Sequence, residues 1–480
     1  MTLKERIIHN SVAQLGGQFV LYGLGMAASI LTMRYLGPEV FGKYSFIMVY
    51  VGVVSLFNDF GGQTLLAREL SQNPGQEGKI LGNYLLLKFP FSLLITTASI
   101  GLLFMLGYAP EIRFYAIIAL LTIPLGTPCI LSVIFQTKLK IWYIAVVNVV
   151  TRIFSLILIG VMVIYHGGLG ILIYGLLAIT VVSTPLMVWL SVREVRPDFR
   201  LDGKLLKRLM VDTIPLGFMI VLGSLVLKID TLLLSKLADV RAVGLYNSAY
   251  KFVDWELTLM VGLLISHLPL FSSLVHREPE KTRRLFQKTL EIVEFLFVPA
   301  AIFGLFASKQ LLLFTSGPKY LESSLALSVL LWVPVFNAFN FITYNILIAL
   351  RLQARTLIIY SMVVVVNIAI NLWGIPRYGF NICAFASLAS ELVAFGPMLY
   401  HLIVKAGIRP KIGKLLLILI ASVAGVLPGI IFPQMRIWIN LLLFGSIYIS
   451  LSLVTGVFTR EEIGRGWNLL QNKLLKTGNK

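Results

Sequence analysis

The sequence predicts an all-α protein that crosses a membrane about fourteen times. Hydrophobic residues make up 58% of its 480 residues and charged residues only 13%, whereas a soluble domain is about 45–50% apolar and about 25% charged. The apolar residues form runs of about 20 residues, the length that spans a bilayer as a helix. Lysine and arginine concentrate in alternate loops between these runs, as the positive-inside rule describes.

Each apolar run predicts one helix, because a helix satisfies its own backbone hydrogen bonds inside a bilayer. The predicted helices span 12–34, 42–64, 82–107, 112–135, 141–164, 169–191, 212–235, 244–271, 289–314, 323–350, 356–375, 381–404, 414–433 and 437–458.

The basic residues orient these helices. With the N-terminus in the cytoplasm, the cytoplasmic loops and tails hold roughly three times as many lysines and arginines as the outer loops. The bias predicts an even number of spans with both termini in the cytoplasm. The protein is therefore expected in the cytoplasmic membrane of the cell, as a multi-pass protein.

A weak internal repeat predicts the domain organisation. Gly42-Lys-Tyr44 lines up with Gly244-Leu-Tyr246, and each motif follows a charged outer corner and begins an even-numbered span. Two parallel repeats of six helices meet at a central cavity in many transporters. We therefore predict an N-terminal lobe, a C-terminal lobe and two additional C-terminal helices, with bounds 1–191, 212–405 and 406–458.

Two polar segments lie outside these lobes. The segment 192–211 reads VREVRPDFRLDGKLLKRLMV, and its apolar residues from Leu201 onward follow helical spacing. We predict a basic amphipathic linker on the inner leaflet, with a solvated basic loop as the alternative. The segment 459–480 is predicted to be a basic cytoplasmic tail.

Four basic residues lie inside predicted spans, where a charge is costly and usually faces a cavity or a partner. They are candidates for binding an anionic headgroup: Arg152, Lys228, Lys88 and Lys251. Arg152 is the leading candidate, because it lies near mid-span and a guanidinium binds phosphate oxygens in a bidentate fork. As alternatives, Lys88 snorkels to the inner surface and Lys251 only pairs with Asp254.

Acidic and amide residues inside the spans complete the predicted site. Glu391 and Asp230 are candidates for binding a proton or Na⁺ during transport, or alternatively serve as counter-ions to the cations. Asp59 is predicted close enough to the inner surface to be an ordinary solvated carboxylate. Four asparagines on polar helix faces are predicted to line the cavity: Asn148, Asn337, Asn340 and Asn367.

Several functional classes lack support in the sequence. The five histidines are dispersed, with no metal-ligand spacing, and there is no Walker A segment or nucleophile elbow. The net charge of +19 comes from basic residues in short loops, which form no continuous nucleic-acid-binding face. We expect no enzyme activity, no cofactor, no metal and no nucleic-acid partner.

Two regions resemble the polysaccharide exporters, which include the O-antigen and lipid-linked oligosaccharide flippases of the multidrug/oligosaccharidyl-lipid/polysaccharide superfamily. The first is RYLGPEVFGKY at 34–44, followed by NDFG at 58–61 and AREL at 67–70. The second is KIDTLL at 228–233, followed by VGLYNSAYK at 243–251. The resemblance implies two six-helix lobes around a central cavity, two extra C-terminal helices, and cations that face a pyrophosphate-linked glycan.

The resemblance predicts a flippase that moves a polyprenyl-pyrophosphate-linked oligosaccharide across the cytoplasmic membrane by alternating access, for surface polysaccharide biosynthesis. The expected partners are this lipid-linked substrate, membrane lipids and glycan polymerases or glycosyltransferases. A cation-coupled multidrug exporter on the same scaffold is the main alternative. A membrane-embedded glycosyltransferase or polymerase is a second alternative, which the short outer loops disfavour.

Overall fold

The computed structural model describes residues 3–264 and 267–457, apart from the side chains of residues 3–21, 215–216, 219–220, 222, 226–227, 268–269 and 272. These described residues form α-helices joined by short turns, with two 3₁₀-helices and no strand. The predicted all-α class is confirmed. The tail predicted at 459–480 lies outside the described residues.

The helices are α1 (Leu3–Asp59), α2 (Gly62–Gln72), α3 (Glu77–Met105), α4 (Pro110–Leu120), α5 (Thr122–Gly126), α6 (Val133–Thr137), α7 (Trp142–Ile164), α8 (Leu169–Glu194), α9 (Gly203–Leu237), α10 (Val240–Leu264), α11 (His267–Leu274), α12 (Pro279–Thr315), α13 (Ser324–Leu330), α14 (Val333–Ala349), α15 (Gln353–Tyr378), α16 (Asn381–Ala406), α17 (Gly413–Ile431) and α18 (Ile437–Val454), with 3₁₀-helices at Thr127–Ser132 and Pro318–Ser323.

Among the described residues, eleven helical stretches are long and apolar enough to cross a membrane, so the predicted number of about fourteen is approximate. The spans predicted at 12–34 and 42–64 both belong to α1, which has a kink between them. Helices α9 and α10 overlap two further predicted spans but are not among the eleven. Three charged residues within six positions lower the hydropathy of α10: Lys251, Asp254 and Glu256.

The chain divides into two compact units. Unit 1 comprises Met1–Lys251 and Tyr360–Ser387, and unit 2 comprises Phe252–Ile359 and Leu388–Lys480. Hydrophobic residues pack the interior of each unit. A cluster around Leu66, Ile134 and Phe135 lies in unit 1, and one around Ile302 and Phe444 lies in unit 2.

The kink in α1 lies within the Leu-Gly-Pro-Glu corner. Gly37 has φ 71° and ψ 172°, a combination that is available essentially to glycine alone. Pro38 follows as the first residue of the second helical segment, where its fixed φ suits a helix start and its missing N–H leaves no donor unsatisfied. This pair ends the first segment of α1 and begins the second.

The two copies of the Gly-x-Tyr repeat pack against each other within unit 1. A Cβ on Gly42 would lie 1.9 Å from the carbonyl oxygen of Val240, and a Cβ on Gly244 would lie 1.8 Å from that of Pro38. Backbones approach this closely only where residues without a side chain meet. The repeated glycines are therefore the crossing point of α1 and α10.

Residues 195–202, which we call the strap, form an extended segment between α8 and α9. The backbone N–H of Asp198 donates to the carbonyl of Gly78 at 2.8 Å. The side chain of Asn83 donates to the carbonyl of Arg200 at 2.9 Å and accepts from the N–H of Asp202 at 2.8 Å. These bonds attach the strap to the first turns of α3, so the segment 192–211 contains the end of α8, the strap and the start of α9.

The end of the strap caps α9 and pairs with α3. Asp202 accepts hydrogen bonds from the N–H groups of Lys204 and Leu205, and its Oδ2 lies 2.7 Å from the Nζ of Lys79. The hydrogen bond from Lys79, together with these backbone bonds, lowers the pKa of Asp202 from 3.8 to about 2. Since the folded pKa is the lower one, the pair stabilises the strap above about pH 4 and weakens as the pH falls toward 2.

Candidate functional site

A cavity of about 630 Å³ lies within unit 1, and we call it the polar chamber. A cavity of this size is typical of a small-molecule site. Its walls come from helices α1, α2, α3, α5, α6, α7 and α8 and from the 3₁₀-helix Thr127–Ser132. The charged and amide side chains that line it are Asn58, Asp59, Gln63, Lys88, Gln136 and Asn148.

Lys88 lies in the wall of the polar chamber and is only 5% exposed. Its Nζ lies 3.3 Å from Oδ1 of Asp59 and donates to the backbone carbonyl of Asp59 at 3.1 Å. The ring of Tyr84 is also near, with 5.7 Å between Nζ and the ring centroid. A side chain this buried does not snorkel to the surface of unit 1, and its charge is balanced by the end of α1.

The end of α1 positions Asp59 for this contact. The helix stops there because Phe60 and Gly61 have positive φ angles of 44° and 81°, which a right-handed helix does not contain. Phe60 packs edge-on against Phe218, with ring centroids 5.4 Å apart, and Gly217 makes room for its ring. The Asn-Asp-Phe-Gly stretch is thus a helix terminus that leaves a carbonyl and a carboxylate facing Lys88.

Arg152 lies next to a chamber residue, Thr151, but approaches α1. A Cβ on Gly25 would lie 3.4 Å from Nη2 of Arg152, so the guanidinium lies over a glycine of that helix. Arg152 also interacts electrostatically with Tyr44, the tyrosine of the first Gly-x-Tyr motif. Arg152 itself is exposed on the surface of unit 1.

Lys228 and Lys251 also belong to unit 1. The Nζ of Lys228 on α9 lies 6.0 Å from the centroid of the Tyr250 ring, at the outer limit of a cation–π contact. Lys251 follows Tyr250 in α10, and both lysines are half-buried. Three of the predicted cations therefore have different neighbours: Lys88 contacts Asp59, Arg152 lies over Gly25, and Lys228 lies near Tyr250.

Asp230 is the centre of a buried polar cluster in unit 1 and is 2% exposed. Its Oδ2 accepts hydrogen bonds from the hydroxyls of Tyr246 at 2.7 Å and Ser387 at 2.6 Å, and its Oδ1 accepts one from Nδ2 of Asn371 at 2.7 Å. Asn371 in turn donates to Oδ1 of Asn367 at 3.0 Å. The hydroxyls and amides in this cluster are neutral, so the cluster as described contains one ionisable carboxyl and oxygen atoms suited to a proton or a hard cation.

Unit 2 also contains a buried carboxyl that accepts hydrogen bonds from amides. Glu391 on α16 is 8% exposed and accepts hydrogen bonds from Nδ2 of Asn337 at 2.7 Å and Nδ2 of Asn340 at 2.8 Å, both on α14. Asn340 also donates to the backbone carbonyl of Glu391 at 3.0 Å. The predicted asparagines therefore divide among three places: Asn148 lines the polar chamber, Asn367 belongs to the Asp230 cluster, and two bind Glu391.

Sequence reasoning missed several members of these sites, and three of them contact Lys88 or Asp230 directly. The sequence predicts a solvated carboxylate at Asp59, but the turn at Phe60 and Gly61 directs this side chain to Lys88. The sequence predicts no contact of Tyr246 or Ser387 with a carboxyl, although both donate to Asp230. The sequence held one usable signal: Tyr246 is the tyrosine of the repeat motif, and a buried tyrosine hydroxyl usually has a hydrogen-bond partner.

Comparisons with known proteins found two family models that match this chain. A family model described as polysaccharide biosynthesis protein matches residues 7–275, and the MatE family model matches residues 215–373. A search of curated proteins found no match.

Solved structures of a flippase and of transporters share the fold. The lipid II flippase MurJ in an inward closed conformation is 16% identical, with a TM-score of 0.74 over 93% of this chain and 98% of that chain. An inward-facing multidrug resistance MATE family transporter is 15% identical, with a TM-score of 0.58 over 80% of this chain and 96% of that one. A MOP superfamily transporter from Pyrococcus furiosus is also 15% identical, with a TM-score of 0.59 over 82% of this chain and 94% of that one.

Proposed function

Because this chain belongs to the polysaccharide biosynthesis protein family, we propose that it is a flippase for a polyprenyl-pyrophosphate-linked oligosaccharide. The family and fold matches are to transporters and flippases. The observation that carries the proposal is Lys88, a buried cation in the wall of a polar chamber large enough for sugar residues. The protein would act in the cytoplasmic membrane, with both termini in the cytoplasm, as the distribution of basic residues favours.

In this proposal the cations of unit 1 replace the water around the pyrophosphate. Arg152, Lys228, Lys88 and Lys251 bind phosphate oxygens through charge-assisted hydrogen bonds, which are about twice as strong as neutral ones. Asparagines such as Asn148 bind the hydroxyl groups of the glycan. The polar headgroup crosses through the protein by alternating access, and the polyprenyl chain stays in the lipid.

The buried carboxyls supply the coupling to an ion gradient. Asp230 and Glu391 each have neutral hydrogen-bond donors as described partners, so each can hold a proton or a sodium ion. Binding of that ion in one conformation and its release in the other would drive export. The other partners in the cell are membrane lipids and the glycosyltransferases or polymerases that make and extend the glycan.

Removing the cations tests this mechanism. We expect Arg152→Ala and Lys228→Ala each to lower the export rate about ten- to a hundredfold, because one charged hydrogen bond contributes about 1.5–3 kcal/mol. Flipping of a fluorescent lipid-linked oligosaccharide is measured in vesicles that contain the purified variants. Arg436→Ala and Lys319→Ala are matched controls, since both residues are exposed outside the predicted spans, and they should keep the wild-type rate. Cation variants that insert normally and export at the wild-type rate contradict the proposed role.

A second candidate is a cation-coupled multidrug exporter. The MatE match over residues 215–373 and the buried carboxyls Asp230 and Glu391 support it, because carboxylates attract cationic drugs. The same vesicles distinguish the two functions: gradient-driven uptake of a cationic dye, without flipping of the oligosaccharide, would favour the drug exporter.

A further inference from the structure

A second cavity in unit 1, of about 310 Å³, has mainly apolar walls, and we call it the apolar groove. The end of α1, the middle of α3 and the first turns of α9 enclose it. Its apolar lining includes Phe57, Phe60, Phe91, Ile95, Met210 and Ile214. A groove with such walls fits hydrocarbon, because burial of apolar surface is favourable without a directional contact.

The apolar groove and the polar chamber meet at one ion pair. Asn58, Asp59 and Lys88 line both cavities, and the other residues of the two linings differ sharply in polarity. A ligand that occupied both cavities would therefore have a hydrocarbon part, a polar part and, where they join, a group beside Lys88. Charge complementarity makes that joining group an anion.

The rim of the groove is open at the surface of unit 1. The exposed fraction is about two fifths to one half for Phe57, Phe91, Met210 and Ile214, so a hydrocarbon chain can enter from the side.

The position of Lys88 along α3 indicates the depth of the groove. Lys88 lies eleven residues after Glu77, the first residue of α3, which is about 16 Å along a helix. Because the strap attaches at that same end of α3 and carries basic residues, the groove lies in the half of the span nearer the cytoplasm.

We propose that the apolar groove holds the first isoprene units of the polyprenyl carrier while Lys88 binds the phosphate attached to them. This inference rests on the proposed function and assigns its lipid subsite. A polyprenyl-linked glycan has the required order of parts: an apolar chain, an anionic phosphate and then sugars, which extend into the polar chamber.

Asp59 occupies the position of the phosphate when the substrate is absent. Its carboxylate balances the charge of Lys88, and its side chain is 35% exposed, so it can rotate away toward water. Its backbone carbonyl is fixed by the end of α1 and still accepts from Lys88 at 3.1 Å. The arriving phosphate replaces one anion by another and leaves the lysine in place.

Photolabelling of the purified full chain in lipid nanodiscs tests the subsite. The probe is a polyprenyl phosphate with a diazirine in its first isoprene units, and we expect label on the α3 and α9 segments that form the groove. Ile214→Trp and Met210→Trp fill the groove and should lower this labelling at least tenfold. The control Leu94→Trp, at a position on α3 that is 65% exposed, should leave it within twofold.

Comparison of two photoreactive probes, with and without a phosphate, tests the role of Lys88. Lys88→Met should lower labelling by the polyprenyl phosphate at least tenfold and leave labelling by the matching polyprenol, which lacks the phosphate, unchanged. Equal losses for both probes would overturn the phosphate contact. Equal labelling of the groove by a photoreactive phosphatidylglycerol would identify a general lipid site and overturn the subsite. Wild-type protein that flips the glycan while both groove variants label normally would reject this inference and leave the proposed function intact.

Discussion

Alanine at Gly42 or at Gly244 is expected to prevent unit 1 from folding correctly. The added Cβ would lie within 2 Å of a backbone carbonyl oxygen on the opposite helix, 1.9 Å in one case and 1.8 Å in the other. No rotamer change relieves such a contact, because both groups belong to backbones. The helices must separate, and we expect each substitution to lower the free energy of unfolding by about 3 kcal/mol or more.

The thermal midpoint of the purified variants in detergent, and the fraction recovered as a monodisperse peak, measure this loss. Gly52→Ala is the matched control, because it lies in the same helix with no atom within 4 Å of the added Cβ. It should keep the wild-type midpoint or raise it, since alanine is the better helix former. Equal midpoints for Gly42→Ala, Gly244→Ala and Gly52→Ala would show that the two helices do not cross at these glycines.

Asparagine at Asp230 is expected to abolish coupling to the ion gradient. The substitution keeps the size of the side chain and removes the charge, so the cluster loses the group that holds a proton or a sodium ion. A coupling free energy of 1–3 kcal/mol corresponds to a factor of about 5 to 150. We expect the transport rate of the variant in the presence of a gradient to fall to its rate in the absence of one.

The measurement is transport into vesicles with and without a proton or sodium gradient. Glu39→Gln is the control, since that carboxylate is exposed on α1, and it should keep the dependence on the gradient. Folding of Asp230→Asn is checked by its thermal midpoint. A variant that folds and still responds to the gradient, or loss of the response in Glu391→Gln alone, would remove Asp230 from the coupling mechanism.

Hydropathy predicted the helices well because the bilayer permits few alternatives. Each predicted span overlaps a helix among the described residues, and most boundaries agree within a few residues. The predicted number of spans differs from the observed number for two reasons. Charged residues interrupt the apolar run in α10, and a kink at Gly37 replaces the loop expected between the first two spans. Local composition does not determine whether two helical segments are joined by a loop or by a single glycine.

The partners inside the membrane could not be predicted, because they join residues far apart in the sequence. The sequence shows polar residues at helical spacing on several predicted spans. Among them, Asn337, Asn340 and Asn367 lie beside buried carboxyls. Which stripe meets which carboxyl depends on the packing of α9 with α15 and of α14 with α16. The sequence repeat predicted two lobes and not this packing, in which its two glycines contact each other and Tyr246 donates to Asp230.

The contact between Lys88 and Asp59 could not be predicted. It depends on the backbone conformation at the end of α1, which no sequence pattern indicates. In the sequence, the Asn-Asp-Phe-Gly stretch indicates only a family resemblance. Its role is to end α1 through the positive φ angles of Phe60 and Gly61. That helix end gives Lys88 a carbonyl and a carboxylate as partners at the boundary of the two cavities.

The most direct test of the central claim is a flipping assay with the purified wild-type protein in sealed vesicles. A fluorescent polyprenyl-pyrophosphate-linked oligosaccharide is placed in both leaflets, and its exposure is followed by quenching from outside. We predict that the protein, with an ion gradient, moves the lipid-linked glycan between leaflets much faster than protein-free vesicles do. Unchanged exposure of the glycan, in vesicles whose protein pumps a cationic dye, would contradict the claim.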